Sequence, residues 1–448
     1  MEPIVVAESP LLRLLKSVAK VEPREVKAVM VSFVFFFFLM FGYFVVRSAR
    51  DALGTVYGVS HLQELYTGTF IFSFIAAPIY AGLASRIKLA KFLPWVFGFI
   101  ALTMIIFFVL FEEFGEQNDR MLAAAFFIWV STFNLLTISV FWSFLADTFS
   151  PSQAKRLFGF ISAGGTLGTL AGPAVGAAFV TMIGINGLML VSAFGFSVTA
   201  LLVKVLEKEK RKLADDSGEG QKTSIDRPLG GNPFEGFTLL FKSRYLLMIA
   251  LFILAMTSIS TVIYFQLGDL ISKSFPSREA RTQVYALIDL AVNGTTVFIQ
   301  LFGTGRFIQR FGVTAGLLLN PIIMVLAFIA ILASPVLFVL GSIQVVRRFG
   351  EYAIAKPSRE MLFTVVDQQS KYKAKNVIDT VVYRFGDVTS SWLSAAVLPF
   401  GIAGLAVAGI VIAAIWFPIA LMLGRRYEGV RSGAAVDSAT KLAPAAGE

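Results

Sequence analysis

The chain has 448 residues, 56% of them apolar and 15% charged, with a mean hydropathy of +0.75. Soluble domains run at about half apolar and about a quarter charged, so this composition excludes an ordinary soluble protein. With no Cys and one histidine, His61, disulfides, a thiolate nucleophile and a Cys/His zinc site are excluded as well.

Taken in chain order, residues 1–25 are mixed in charge. Leu11, Leu12, Leu14, Leu15 and Val18 interleave with Arg13, Lys16 and Lys20, which reads as an amphipathic segment at a membrane surface. The first apolar run is too long for a signal-peptide core. A hydrocarbon layer of about 30 Å needs about 20 apolar residues per helix. Twelve such spans follow, at 26–46, 62–84, 91–111, 121–146, 156–180, 185–205, 245–268, 283–304, 313–333, 335–355, 376–398 and 402–424. Ser334-Pro335 alone divides the ninth from the tenth, and proline suits the first turn of a new helix. Residues 206–243 are polar and charge-rich and predict a linker, and 425–448 predict a disordered tail. The domains expected are therefore 1–25, a six-helix bundle over 26–205, the linker, a second bundle over 244–424, and the tail. The fold class is an all-α membrane protein of twelve transmembrane helices in two pseudo-symmetric six-helix bundles.

Lys and Arg set the orientation. Thirty of the 39 fall in the segments that share a side with the two termini, which predicts cytoplasmic termini in an inner (plasma) membrane. The net charge of +10 is thereby a topology signal, and it calls for no nucleic-acid partner. A shift of about 220 residues maps Tyr43-Phe44 onto Tyr264-Phe265, Asp147 onto Asp367, and Ala154-Lys155 onto Ala374-Lys375. These pairs stand at equivalent places in the two halves, as in the major facilitator arrangement, where substrate binds at the midplane.

Charges inside a bilayer are costly and mark pathways. The first helix ends in Arg47 and Arg50, the fourth carries Asn134, and the eighth carries Asp289 and Asn293. Arg347, Arg348 and Glu351 fall in the tenth, Arg384 and Asp387 in the eleventh. An arginine fork grips phosphate or carboxylate and stays charged when desolvated. Tyr43, Tyr264, Tyr285, Tyr352 and Tyr383 offer rings for stacking. The expected site therefore joins Arg47, Arg50, Tyr43, Asn134, Tyr264, Asp289, Arg347, Arg348, Glu351, Arg384 and Asp387 around an anion. Arg347–Glu351 and Arg384–Asp387 also have the spacing of self-neutralising helical pairs. The run Phe33–Phe38 reads as lipid-facing bulk. Glycines 164, 168, 172 and 176 line one helix face, a packing surface or a hinge.

Several segments together resemble the ATP/ADP translocase (nucleotide transporter) family. They are Arg47-Ser-Ala-Arg50-Asp51, Phe141-Trp142-Ser-Phe-Leu-Ala146-Asp147, Ala154-Lys155-Arg156-Leu-Phe158-Gly159, Lys356-Pro357-Ser-Arg359-Glu360-Met-Leu-Phe363, Tyr372-Lys-Ala-Lys375-Asn376-Val-Ile-Asp379 and Tyr383-Arg384-Phe-Gly386-Asp387. The resemblance covers about residues 25–424 and implies exchange of ATP for ADP on a facilitator-like fold. The expected function is alternating-access transport of a nucleotide or other phosphorylated solute, with no enzyme activity, cofactor or metal. Asp147, Lys155, Asp367 and Lys375 are expected to form a cytoplasmic gate. Two other readings stay open: a proton-coupled carrier of a small organic anion or drug-like solute, and a receptor or scaffold that does not transport.

Overall fold

The computed structural model describes residues 21–86, 89–217, 235–366, 374–375 and 377–442. The expected amphipathic stretch at 11–20, Asp367, and residues 218–234 of the expected linker lie outside these residues. The linker's described parts, 206–217 and Glu235–Lys242, are helical, which corrects the reading of 206–243 as linker throughout. Among the described residues the secondary structure is helical and contains no strand.

Twelve long helices can be followed among the described residues, besides the short helix Glu235–Lys242 that precedes the seventh. The first two are α1 (Val26–Tyr57) and α2 (Leu62–Arg86). The continuous stretch Leu89–Thr148 cannot be one rod, because 60 residues would extend about 90 Å at about 1.5 Å per residue. Trp129 Nε1 donates to Thr103 Oγ1 at 2.9 Å, and the Phe107 and Phe126 rings are 5.2 Å apart. The chain therefore doubles back between Phe111 and Phe126, giving α3 (89–111) and α4 (126–148). Pro151–Ser217 likewise breaks at Gly184, whose φ of 69° an L side chain rarely adopts. Its arms are α5 (151–183) and α6 (185–217). Both lie against α1 at the same level: Gly172 faces Phe44, and Gly195 faces Gly42.

The second half repeats the plan. It comprises α7 (Arg244–Ser274), α8 (Arg278–Phe302) and α9 (Thr304–Ala333, bent at Gly312, φ 80°). Next, α10 is Leu337–Phe349, continued through a π turn, Gly350–Ala355, into Lys356–Leu362. Then α11 opens with a π turn, Ile378–Val382, and runs on as Tyr383–Val397; α12 is Gly401–Leu442. Among the described residues seven stretches are long and apolar enough to cross a membrane, and two of them, 156–212 and 378–430, contain a reversal.

Three helices outrun the sequence expectation the furthest. α6 continues to Ser217, twelve residues beyond its expected end at 205. α1 continues to Tyr57 rather than ending at Arg50, because Arg50 and Asp51 pair with each other and leave 52–57 free to stay helical. α12 continues to Leu442, so residues 425–442 are helical and the expectation of a disordered tail from 425 is corrected for them.

By contact the chain forms two compact units. One gathers the described residues of Met1–Tyr57, Ile71–Pro228 and Phe275–Leu290; the other gathers those of Gly58–Phe70, Leu229–Ser274 and Ala291–Glu448. The first unit has an aromatic core. Phe35 is fully buried against Phe97, Phe141 and Phe144, at centroid distances of 5.7, 4.9 and 6.4 Å, and Phe36 stacks on Phe141 at 4.2 Å. This corrects the lipid-facing reading of Phe33–Phe38. Helices on two sides of α1 enclose part of that run, and only a full-length lipid-facing helix would expose all of it.

Candidate functional site

In the first unit, α5 approaches α1 without an intervening side-chain layer. A Cβ on Gly164 would collide with the Phe33 carbonyl, on Gly168 with the Phe37 carbonyl, and on Gly172 with the Phe44 backbone. The four-residue glycine spacing is thus a packing face. It fixes the stretch of α1 that carries the arginines.

Arg47 Nε stands 3.7 Å from Asp289 Oδ2 of α8, and its guanidinium lies 5.3 Å from the centre of the Phe44 ring. Arg50 grips Asp51 Oδ1 through Nη2 at 2.5 Å and Nε at 3.0 Å, donates to Ser131 Oγ at 3.3 Å, and covers Phe127. Asp51 and Asp289 are 5% and 3% exposed, so both acids belong to the interior. Tyr43 is buried against Phe44 and Phe133. Asn134 places a buried Oδ1 that has no hydrogen-bond donor among the described residues.

In the second unit, Arg347 donates to Glu351 Oε2 at 2.9 Å and to Gln344 Oε1 at 3.2 Å. Arg348 is 3% exposed and lies 5.8 Å from the centre of the Tyr352 ring. On α11, Arg384 meets Asp387 at 3.5 Å. Tyr264 packs edge-on against Tyr66 at 6.0 Å. Both arginine–carboxylate pairs anticipated from spacing are formed. Within each unit the charges are paired: Arg47 and Arg50 with Asp289 and Asp51 in the first, Arg347 and Arg384 with Glu351 and Asp387 in the second.

Among the expected gate residues, Lys375 pairs with Glu360 and lies 5.5 Å from the centre of the Phe363 ring. Asp147 is half-buried on α4, Lys155 lies on α5, and Asp367 lies outside the described residues.

Three comparisons bear on this architecture. The family model of the Major Facilitator Superfamily matches residues 28–355. The chain belongs to the Major Facilitator Superfamily. It is similar to ADP,ATP carrier protein 1 of Chlamydia muridarum, 23% identical with 94% of this chain and 92% of that one covered. The protein of the same name from Chlamydia pneumoniae is 24% identical over 94% and 95% of the two chains. These relatives bear out the resemblance drawn from residues 25–424. Among solved structures, a bacterial homologue of the human lysosomal transporter Spinster superposes with a TM-score of 0.58 at 15% identity, covering 92% of this chain and 99% of that one. The nucleoside transporter NupG gives 0.57 at 15% identity, covering 90% and 98%. At such identity they share the fold. As a facilitator-superfamily protein, the chain is a multi-pass membrane transporter of the secondary class.

Charged residues that sequence reasoning missed lie where this facilitator's helices turn. Glu25, with no exposed side-chain surface, accepts Arg156 in a bidentate fork at 2.8 and 3.2 Å and Gln153 Nε2 at 2.9 Å. Burial pushes the Glu25 carboxyl up. The hydrogen bonds from Arg156, the Glu22 backbone and Gln153, with the Arg156 charge, outweigh that and hold it below the usual glutamate range. Between α10 and α11, Arg359 reaches Asp379 at 3.6 Å and Glu360 at 3.8 Å. Glu360 and Asp379 sit inside the quoted family segments, so their positions were visible; their pairing was not. The two π turns left no periodicity to read, although π turns recur at functional sites.

Proposed function

We propose that this facilitator carries a phosphorylated anion, and that the anion is a nucleotide exchanged in the manner of ATP for ADP. The observation that carries the reading is the set of arginines in the apolar helices: Arg47, Arg50, Arg347, Arg348 and Arg384. Each presents a planar fork suited to phosphate oxygens. The neighbouring Asp51, Asp289, Glu351 and Asp387 give those forks a substitute partner when no solute is bound. An incoming phosphate then exchanges one anionic partner for another, which limits the cost of leaving an arginine unpaired in an apolar bundle. Tyr43, Tyr264 and Asn134 supply ring faces and an amide for a base or other organic moiety. The names of the chlamydial relatives support the same solute class.

The cytoplasmic termini and inner-membrane location follow from the basic-residue count. Asp147, Lys155, Asp367 and Lys375 take the gate role, to which Glu360 adds the partner of Lys375. No enzyme activity or cofactor is part of the reading.

The test is uptake of labelled ATP by proteoliposomes loaded with ADP. Uptake that needs internal nucleotide is expected. Uptake no greater than in protein-free vesicles, with other phosphorylated solutes equally silent, would overturn the reading. A second reading, proton-coupled carriage of a small organic anion, draws on the Arg47–Asp289 pair, whose aspartate is almost fully buried. It requires uptake driven by a pH gradient and lost in Asp289→Asn.

A further inference from the structure

The π turn of α10 has a cause in the sequence. Pro357 lacks an N–H, so in a regular α-helix the carbonyl of Ala353 would lose its donor, and the proline ring would press on that same carbonyl. The chain widens instead. The Lys356 N–H donates to the Glu351 carbonyl, five residues back. That shift deprives the Tyr352 carbonyl of Lys356, and the next candidate donor along the chain is again Pro357. Ala353 is fully buried, and a main-chain carbonyl in such surroundings needs a partner from somewhere.

Two side chains from the α8–α9 connection serve them. Gln300 Nε2 donates to the Tyr352 carbonyl at 3.2 Å, and Thr304 Oγ1 to the Ala353 carbonyl at 2.7 Å. At the start of the turn, Asn320 Oδ1 of α9 lies 2.5 Å from where a Gly350 Cβ would stand, so a larger residue there would displace the Asn320 side chain. All of these residues belong to the second unit.

The turn separates two sets of charges on one helix. Arg347 and Arg348 precede it, and Arg359 and Glu360, held by Asp379 and Lys375, follow it. Converting a π turn to an α turn shifts the register by about one residue, or about 100° around the axis. We propose that Thr304 and Gln300 are positioning residues. By supplying the donors that Pro357 withholds, they hold the π turn and fix the angle of Arg347 and Arg348 relative to the Arg359–Asp379 and Glu360–Lys375 pairs. The consequence for solute affinity rests on the arginine reading above; the hold on the turn does not.

The experiment uses the purified full chain with Thr304→Val, Gln300→Ala and Thr304→Ser, each also combined with Pro357→Ala. Amide hydrogen exchange over 350–362 reports the turn, and nucleotide uptake reports KM and kcat. Thr304→Val should speed exchange by about fivefold, the change expected for one lost buried hydrogen bond. It should raise KM by a similar factor with kcat kept, and Thr304→Ser should match the parent. In the Pro357→Ala background, where residue 357 regains a donor, Thr304→Val should have little effect. Exchange in Thr304→Val within about twofold of the parent, or an equal effect with and without Pro357, overturns the proposal. If the parent moves no nucleotide, the arginine reading fails while exchange still decides the hold on the turn.

Discussion

Arg47 Nε and Asp289 Oδ2 lie 3.7 Å apart, paired by charge without a hydrogen bond between those atoms. A pair this loose in an apolar bundle is ready to be outcompeted. Asp289→Asn removes the counter-charge of Arg47, and the native state should lose about 1–3 kcal/mol. Thermal unfolding of the purified protein measures the loss. Added nucleotide should restore the midpoint, since a ligand that binds the folded state raises it. A drop that no phosphorylated anion reverses would separate Arg47 from the solute.

Arg384 meets its acid through Nη1 at 3.5 Å, at the long limit of a hydrogen bond. Arg384→Ala should reduce kcat/KM for exchange by about 10- to 100-fold, the range for a hydrogen bond to a charged group. Arg384→Lys should recover little of it, because an ammonium lacks the planar fork. Parent-like kinetics in the alanine variant would remove this residue from the path.

The glycine face of α5 makes a sharp stability prediction. Gly168→Ala pushes a methyl into the Phe37 carbonyl and should cost about 1–3 kcal/mol, read as a lower unfolding midpoint. Gly159→Ala, on the same helix with nothing within 4 Å, should raise stability by about 0.5–1 kcal/mol, because alanine is the better helix former. Equal effects would refute backbone contact as the reason for glycine.

Glu25 gives a pH dependence with a definite sign. Its folded pKa lies below the ordinary 4.5, so its contribution is complete above that value and is lost as pH falls through the lower, folded one. Stability should therefore decline on the acid side below pH 4.5, and Glu25→Gln should flatten that decline while lowering stability at neutral pH. An acid profile unchanged by the substitution would mean other carboxylates govern it.

The helices were legible because a bilayer demands long apolar spans, and their ends fell close to where Gly184, Gly312 and Ser334-Pro335 punctuate the chain. The helical charge pairs were legible for the same reason: Arg347–Glu351 and Arg384–Asp387 obey local spacing. What could not be read was set by distant neighbours. Phe35 and Phe36 look like lipid-facing bulk until α4 and α5 close over them. Asp51 looked like a helix end, and became an interior counter-charge once α1 ran on to Tyr57. The burial of Glu25 could not be read, since its side-chain partners Gln153 and Arg156 stand more than a hundred residues away, and only its bond from the Glu22 N–H is local.

Because α5 rests on the main chain of α1, no layer of rotamers lies between them to absorb sliding. The two must travel as a single lever. Any solute-driven change of shape that moves Arg47 or Arg50 has to carry α5, from its Gly164 end to its Gly176 end, through the same arc. A crosslink between these two helices should therefore leave turnover intact, whereas one that ties either of them to a helix that slides past should arrest it.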